Sequence, residues 1–120
     1  MFDSLNLTAK ALDASMLRYQ QLTNNIANID TVGYKRMDVA FENILAAELD
    51  KSGASGIDLD NINPQIYYDN ASTTMRLDGN NVDIDIEMSE LSKEKIRYDT
   101  LIQKATSQVQ RYQNIFQQIQ

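Results

Sequence analysis

Stepping from Ile84 by alternating four and three residues lands on Met88, Leu91, Lys95, Tyr98, Ile102, Ala105, Val109, Tyr112, Phe116 and Ile119. Ten of these eleven positions are apolar in a chain that is 42% hydrophobic. That spacing keeps one stripe on one side of an α-helix and is the repeat of helices that pack along their length. The same walk near the start gives Leu5, Ala9, Leu12, Met16, Tyr19, Thr23 and Ile26, six apolar out of seven. All four glycines and the one proline fall between Gly33 and Gly79, so breakers mark the middle and spare both ends. The expectation is a mainly α fold in one domain over residues 1–120. Helices over 4–28 and 83–119 form an antiparallel coiled-coil pair, and a partly irregular segment over 29–80 joins them.

Caps refine those bounds. Asp3 or Ser4 can start the first helix, and Asp83 or Asp85 the last. The acids of the last helix, Asp85, Glu87, Glu90, Glu94 and Asp99, stand early in it; beyond Asp99 only Lys104 and Arg111 are charged, an order that opposes the helix dipole favourably. Between the helices, Phe41, Ile44, Leu45 and Leu49 have helical spacing within Val39–Leu49. Asp50 to Asn63 reads as flexible, and Ile66–Tyr68 with Thr73–Leu77 reads as a minor β-hairpin. At ~1.5 Å per residue the first helix is some ~15 Å shorter than the last, so the pair leaves part of the longer seam uncovered. Other chains or other copies would cover it. Seven glutamines in the last eighteen residues fit either a helix face packed on neighbours or a merely polar solvated one.

Composition excludes much chemistry. With no His and no Cys the chain lacks the usual ligands of zinc and iron and the partners of most Ser and Cys nucleophiles. Ser92 and Lys95 match a Ser-x-x-Lys string, but no companion motif accompanies it and it falls mid-helix. Lys95 has a plainer reading: one charge in an apolar seam sets register or partner choice. Twelve-residue calcium loops counted from Asp58 or Asn81 put Asn63 or Ile86 at the glycine position, so neither works. No catalytic, cofactor or metal site is therefore expected. The formal net charge of −6 argues against nucleic acid, no apolar run spans a bilayer, and the N-terminus lacks the pattern of a cleavable secretory signal.

One segment is more specific. Residues 24–36 read NNIANIDTVGYKR. Asn25 and Asn28 can cap or turn the helix end, Thr31-Val32-Gly33-Tyr34 suits a turn with Gly33 at positive φ, and Tyr34 offers an aromatic anchor to the returning chain.

Asn25, Ile26, Ala27, Asn28, Thr31, Gly33, Tyr34, Lys35 and Arg36 resemble the signature of the bacterial flagellar rod, hook and hook-associated axial proteins. There, Asn-Ile-Ala-Asn followed by Thr-x-Gly-Tyr-Lys/Arg comes after the first helix. Members commonly carry Pro where Val32 stands. The stretch Asp78 to Met88, DGNNVDIDIEM, with Ser89-Glu90-Leu91, Ile96-Arg97-Tyr98 and Phe41-Glu42-Asn43-Ile44-Leu45, resembles the proximal rod members; hook and distal-rod relatives insert β-domains for which this middle is too short. The resemblance implies a structural, non-enzymatic subunit exported by the flagellar type III apparatus. It implies a place in the periplasmic rod of the basal body and transmission of torque from MS-ring to hook. Implied partners are other copies, other rod proteins, the adaptor protein FliE, the MS-ring and the export gate. The assembly seam would comprise Leu5, Leu12, Met16, Tyr19, Ile26, Ile84, Met88, Leu91, Tyr98, Ile102, Ala105, Val109, Tyr112, Phe116 and Ile119. Another short proximal rod protein and a soluble cytosolic coiled-coil adaptor or chaperone are the alternatives, and the Asn28–Tyr34 signature counts against the latter.

Overall fold

The computed structural model describes residues 2–52, 58–69 and 79–119. Its order is helix α1 (Phe2–Ala27), strand β1 (Met37–Ala40), helix α2 (Glu42–Ser52), a 3-10 turn (Leu59–Asn61), strand β2 (Gln65–Tyr68) and helix α3 (Ile84–Ile119). The molecule measures 66 × 29 × 16 Å, and α3, at about 54 Å for its length, sets the long axis.

α1 and α3 pack antiparallel. Ser15 meets Glu94, Asn25 meets Glu87, and Ser4 meets Gln108, so residue numbers rise along one helix as they fall along the other. α1 begins at Phe2, before the expected caps, and Ser4 lies inside it. There its carbonyl accepts from Thr8 and its hydroxyl accepts from Gln108. α3 starts where expected: Asp83 Oδ1 accepts from the backbone N–H of Asp85 at 3.0 Å, a side-chain cap for an otherwise unpaired donor. Asp85 and Glu87 then occupy the first turn, at the favourable end of the dipole.

The middle differs from its sequence reading. Val39 and Ala40 lie in a strand, and α2 begins only at Glu42, with the Phe41 carbonyl accepting from Leu45 N–H at 2.8 Å. Apolar spacing over Val39–Leu49 fits a helix, but backbone pairing with a distant strand takes its first residues. Ile66–Tyr68 does form a strand, antiparallel to Met37–Ala40 with Val39 opposite Ile66. The proposed partner Thr73–Leu77 lies outside the described residues. Part of the segment read as flexible is ordered: Asp58 caps the 3-10 turn through the Asp60 N–H, and Ile62 is fully buried.

The apolar core is sparse. Among the described residues, Ala14, Leu22, Ile62 and Val82 are its buried members, outnumbered by buried polar ones. The reason is the register of the helix pair. On α1 the side facing α3 carries Thr8, Ser15, Leu22 and Asn25, all buried, with Ala11 and Arg18 partly so. It lies one residue, about 100° of rotation, from the apolar stripe read in the sequence. On α3 the buried column is Glu87, Glu94 and Gln108, with Leu101 and Ile115 half-buried, and the neighbouring column Leu91, Tyr98, Ala105 and Tyr112 is half-buried.

Candidate functional site

Two turns meet at the closed end of the helix pair. Asn28 ends α1 by donating its side-chain amide to the Asn24 carbonyl at 2.8 Å, and its own carbonyl accepts from Thr31 N–H. The Tyr34 N–H then bonds to the Thr31 carbonyl at 3.2 Å, closing a turn in which Gly33 has φ +72°. Positive φ at the third position is the demand that favours glycine there. Gly79, φ +82°, sits against it: a Cβ at Gly79 would lie 3.5 Å from the Gly33 Cα.

Side-chain amides lock these turns together. Asn80 Nδ2 lies within hydrogen-bond distance of three carbonyls, those of Asn28 (3.0 Å), Ile29 (3.0 Å) and Thr31 (2.8 Å), while its Oδ1 accepts from the Val82 N–H. Asn81 Oδ1 accepts from the Arg36 N–H and its Nδ2 donates to the Asp69 carbonyl. Asn25 Oδ1 accepts from the Tyr34 hydroxyl and the Met37 N–H, and its Nδ2 donates to the Met37 carbonyl and Glu87. All three asparagines are at most 1% exposed. Buried backbone groups require partners, and an amide, with both donors and an acceptor, meets that need without introducing charge. Tyr34 is the anchor its position implied, held also by Asn24 Nδ2. Burial and the nearby Glu87 charge push its phenol above the usual range.

Two arginines continue the lock along the pair. Arg18 reaches Asp38 (2.9 Å), Glu90 (3.0 Å) and Glu94 (3.0 Å); Arg36 reaches Glu87, Asp69 and Asp38. Asp38 joins both, one carboxylate oxygen to each. Burial opposes the charge on each arginine most strongly, but the carboxylates together more than offset it and leave both guanidiniums above their ordinary pKa. Burial likewise opposes the Asp38 charge, and Arg18, the Val39 N–H and Arg36 outweigh it, holding the carboxyl below its usual range. Glu90 is lowered chiefly by its bond from Arg18. Sequence reading missed this network and the Asn80 and Asn81 clasp. The available signal was the recurrence of Glu87, Glu94 and Gln108 at multiples of seven beside the apolar stripe.

With polar residues filling the inner seam, the apolar stripe lies beside it. Met88, Ile102, Val109 and Phe116 are 40–52% exposed and share one column of α3 with exposed Lys95. In an antiparallel pair with this register, that column stands level with Leu5, Leu12, Tyr19 and Ile26 of α1, all half-buried, beyond which Ala9 and Met16 are exposed. The stripe residues shared with the inner seam are Leu91, Tyr98, Ala105 and Tyr112; Ile84 and Ile119 at the ends of α3 are exposed. The opposite side of the pair carries β1, the start of α2 and a cleft of about 520 Å³ lined in part by Ala11, Ala14, Phe41, Tyr67, Glu90, Arg97 and Leu101. Lys95, read as lying within the seam, does not face α1.

Among the described residues no group of three or more acidic side chains is placed to hold a metal ion. Among the described residues, too, no helix is long and apolar enough to cross a membrane.

Residues 5–35, the first helix and the turn that Asn80 clasps, match the family described as flagella basal body rod protein. The chain is 36% identical over 100 residues to the flagellar basal body rod protein FlgB of Bacillus subtilis (strain 168), covering 78% of this chain and 78% of that protein. The chain belongs to the FlgB family of flagellar basal body rod proteins. FlgB of Borreliella burgdorferi is 31% identical over 111 residues, 79% of this chain and 82% of the relative. FlgB of Yersinia enterocolitica is 26% identical over 129 residues, 96% and 94% of the two chains. FlgB membership agrees with the flagellar axial resemblance carried by the Asn25–Arg36 signature.

Proposed function

We propose that this protein is a structural subunit of the proximal rod of the flagellar basal body, without catalytic activity, that joins other copies and other rod proteins through its open helix face. One observation supports the reading above others: apolar residues recur along nearly the full length of α3 on a face that α1 does not cover. Burying such a stripe is worth about 25 cal/mol per Å² of apolar surface removed from water, and a neighbouring helix supplies the burial that the chain's own helix does not. A stiff lateral contact of this kind suits a tube that carries torque from the MS-ring to rod and hook. The remaining partners in this reading are the adaptor protein FliE, the MS-ring and the export gate, reached through the flagellar type III apparatus.

The test is genetic and structural. Deleting the chain from its bacterium should abolish swimming and leave basal bodies without a complete rod, and restoring it should recover both. Swimming cells with intact rods after deletion would overturn the proposal. Complementation with Ile102→Asp or Val109→Asp should yield a helical, soluble protein that does not restore rods.

A further inference from the structure

Two sets of charges on α3 have no role in the clasp or the arginine network, apart from the pairing of Arg97 with Glu42 and Glu94. Arg97, Lys104 and Arg111 recur every seven residues on the flank that carries the cleft, and all are exposed. Asp85 and Asp99, also exposed, lie fourteen residues apart on the other flank, next to the open apolar column. Among the described residues, no ion pair within 4.0 Å engages Lys104, Arg111, Asp85 or Asp99, and Lys95, one turn before Asp99, forms none either.

The two sets match in spacing. Arg97 and Arg111 are fourteen residues apart, as are Asp85 and Asp99, and each cation lies twelve residues beyond its acid. Twelve residues of helix rise ~18 Å, and the two flanks are turned roughly 120–150° from each other, so no cation reaches its acid within one molecule. Subunits repeating along a tube point the same way and touch through two different surfaces, so one flank meets the other. Shape agrees with charge. Phe41, Glu42 and Tyr67 stand over α3 beside residues as far as Leu101, leaving the flank open at Lys104 and Arg111. A neighbour at the same height would collide with that module.

We infer that successive copies of this chain pack parallel and side by side, displaced by twelve residues or ~18 Å along α3, so that Arg111 of one meets Asp99 of the next on the stretch the module leaves open. The inference rests on the rod-subunit reading and adds the register of its contact. A shift of that size still leaves ~36 Å of helix overlapped.

The chain has no cysteine, so introduced ones report cleanly. Carrying Asp99→Cys and Arg111→Cys together, the full chain incorporated into rods should give a ladder of disulfide-linked multimers on oxidation. A link inside one helix is impossible, because disulfides need Cα atoms within about 7 Å. Thr106→Cys with Arg111→Cys, one heptad out of register, should give none. Assembled rods without the first ladder, or with an equal ladder from the second pair, would overturn the register. As a second measurement, Arg111→Asp alone should lower rod yield several-fold and adding Asp99→Arg in the same chain should restore it; no restoration would also overturn it. Rods that form without the wild-type chain would remove the rod reading itself, a failure visible before any substitution is made.

Discussion

Asn80 donates its side-chain amide to the carbonyl of Asn28 across fifty-two residues of sequence, at 3.0 Å, and is itself fully buried. The contact fixes where the second long helix begins relative to where the first one ends. Helix register in this chain is therefore set by a polar clasp at one end and by charge pairs along the seam, with little help from apolar packing.

Replacing Asn80 tests that directly. Asn80→Ala should cost about 2–4 kcal/mol, because the carbonyls of Asn28, Ile29 and Thr31 lose the buried amide that ties them to the start of the last helix. Asn80→Asp should cost more, since it sets a carboxylate against those oxygens. Urea denaturation followed by helical circular dichroism checks both, and equal midpoints for wild type and Asn80→Ala would contradict the clasp.

The turn offers the opposite sign. Val32 is 76% exposed at the second position of the Thr31–Tyr34 turn, a position that favours proline. Val32→Pro should stabilise by about 0.4–1 kcal/mol through the unfolded chain, whereas Gly33→Ala at φ +72° should destabilise by about 1 kcal/mol. Thermal melts of the two variants should move in opposite directions.

Acid should loosen the pair. The folded carboxyls of Asp38 and Glu90 titrate below their ordinary values, so their contribution is fully present above the unfolded carboxylate range, near about pH 4, and is lost as pH falls through the folded pKa values. Stability should be flat from neutral pH to about 5 and fall steeply below 4. Asp38→Asn, which breaks the bridge between Arg18 and Arg36, should cost about 2–4 kcal/mol at pH 7 and show a shallower acid dependence. Denaturation midpoints measured across pH 3–7 for the two proteins give the comparison.

Position on α3 should separate folding from assembly. Val109→Asp and Phe116→Asp alter exposed side chains and should leave the isolated chain's helix content unchanged while blocking rod incorporation. Tyr98→Asp enters the half-buried inner seam and should lower stability as well. Melting curves paired with basal-body isolation distinguish the two classes, and loss of stability in Val109→Asp would mean that the column is not free.

The two long helices are legible in the order of residues alone, because apolar residues recur every three to four positions and breakers are confined to the middle. The Gly33 turn is legible there too, where local backbone geometry leaves few residue choices, and the last helix's cap is narrowed to Asp83 or Asp85, of which the structure uses Asp83. Which side of each helix faces the other follows from long-range contacts. Periodicity reports where apolar side chains lie, but the inner seam is closed by Ser15 with Glu94, Asn25 with Glu87 and Arg18 with its three carboxylates, and such bonds depend on partners up to seventy-nine residues away. The strand at Met37–Ala40 was hidden for the same reason. Four residues acquire their conformation from pairing with Gln65–Tyr68, and no local pattern carries that information.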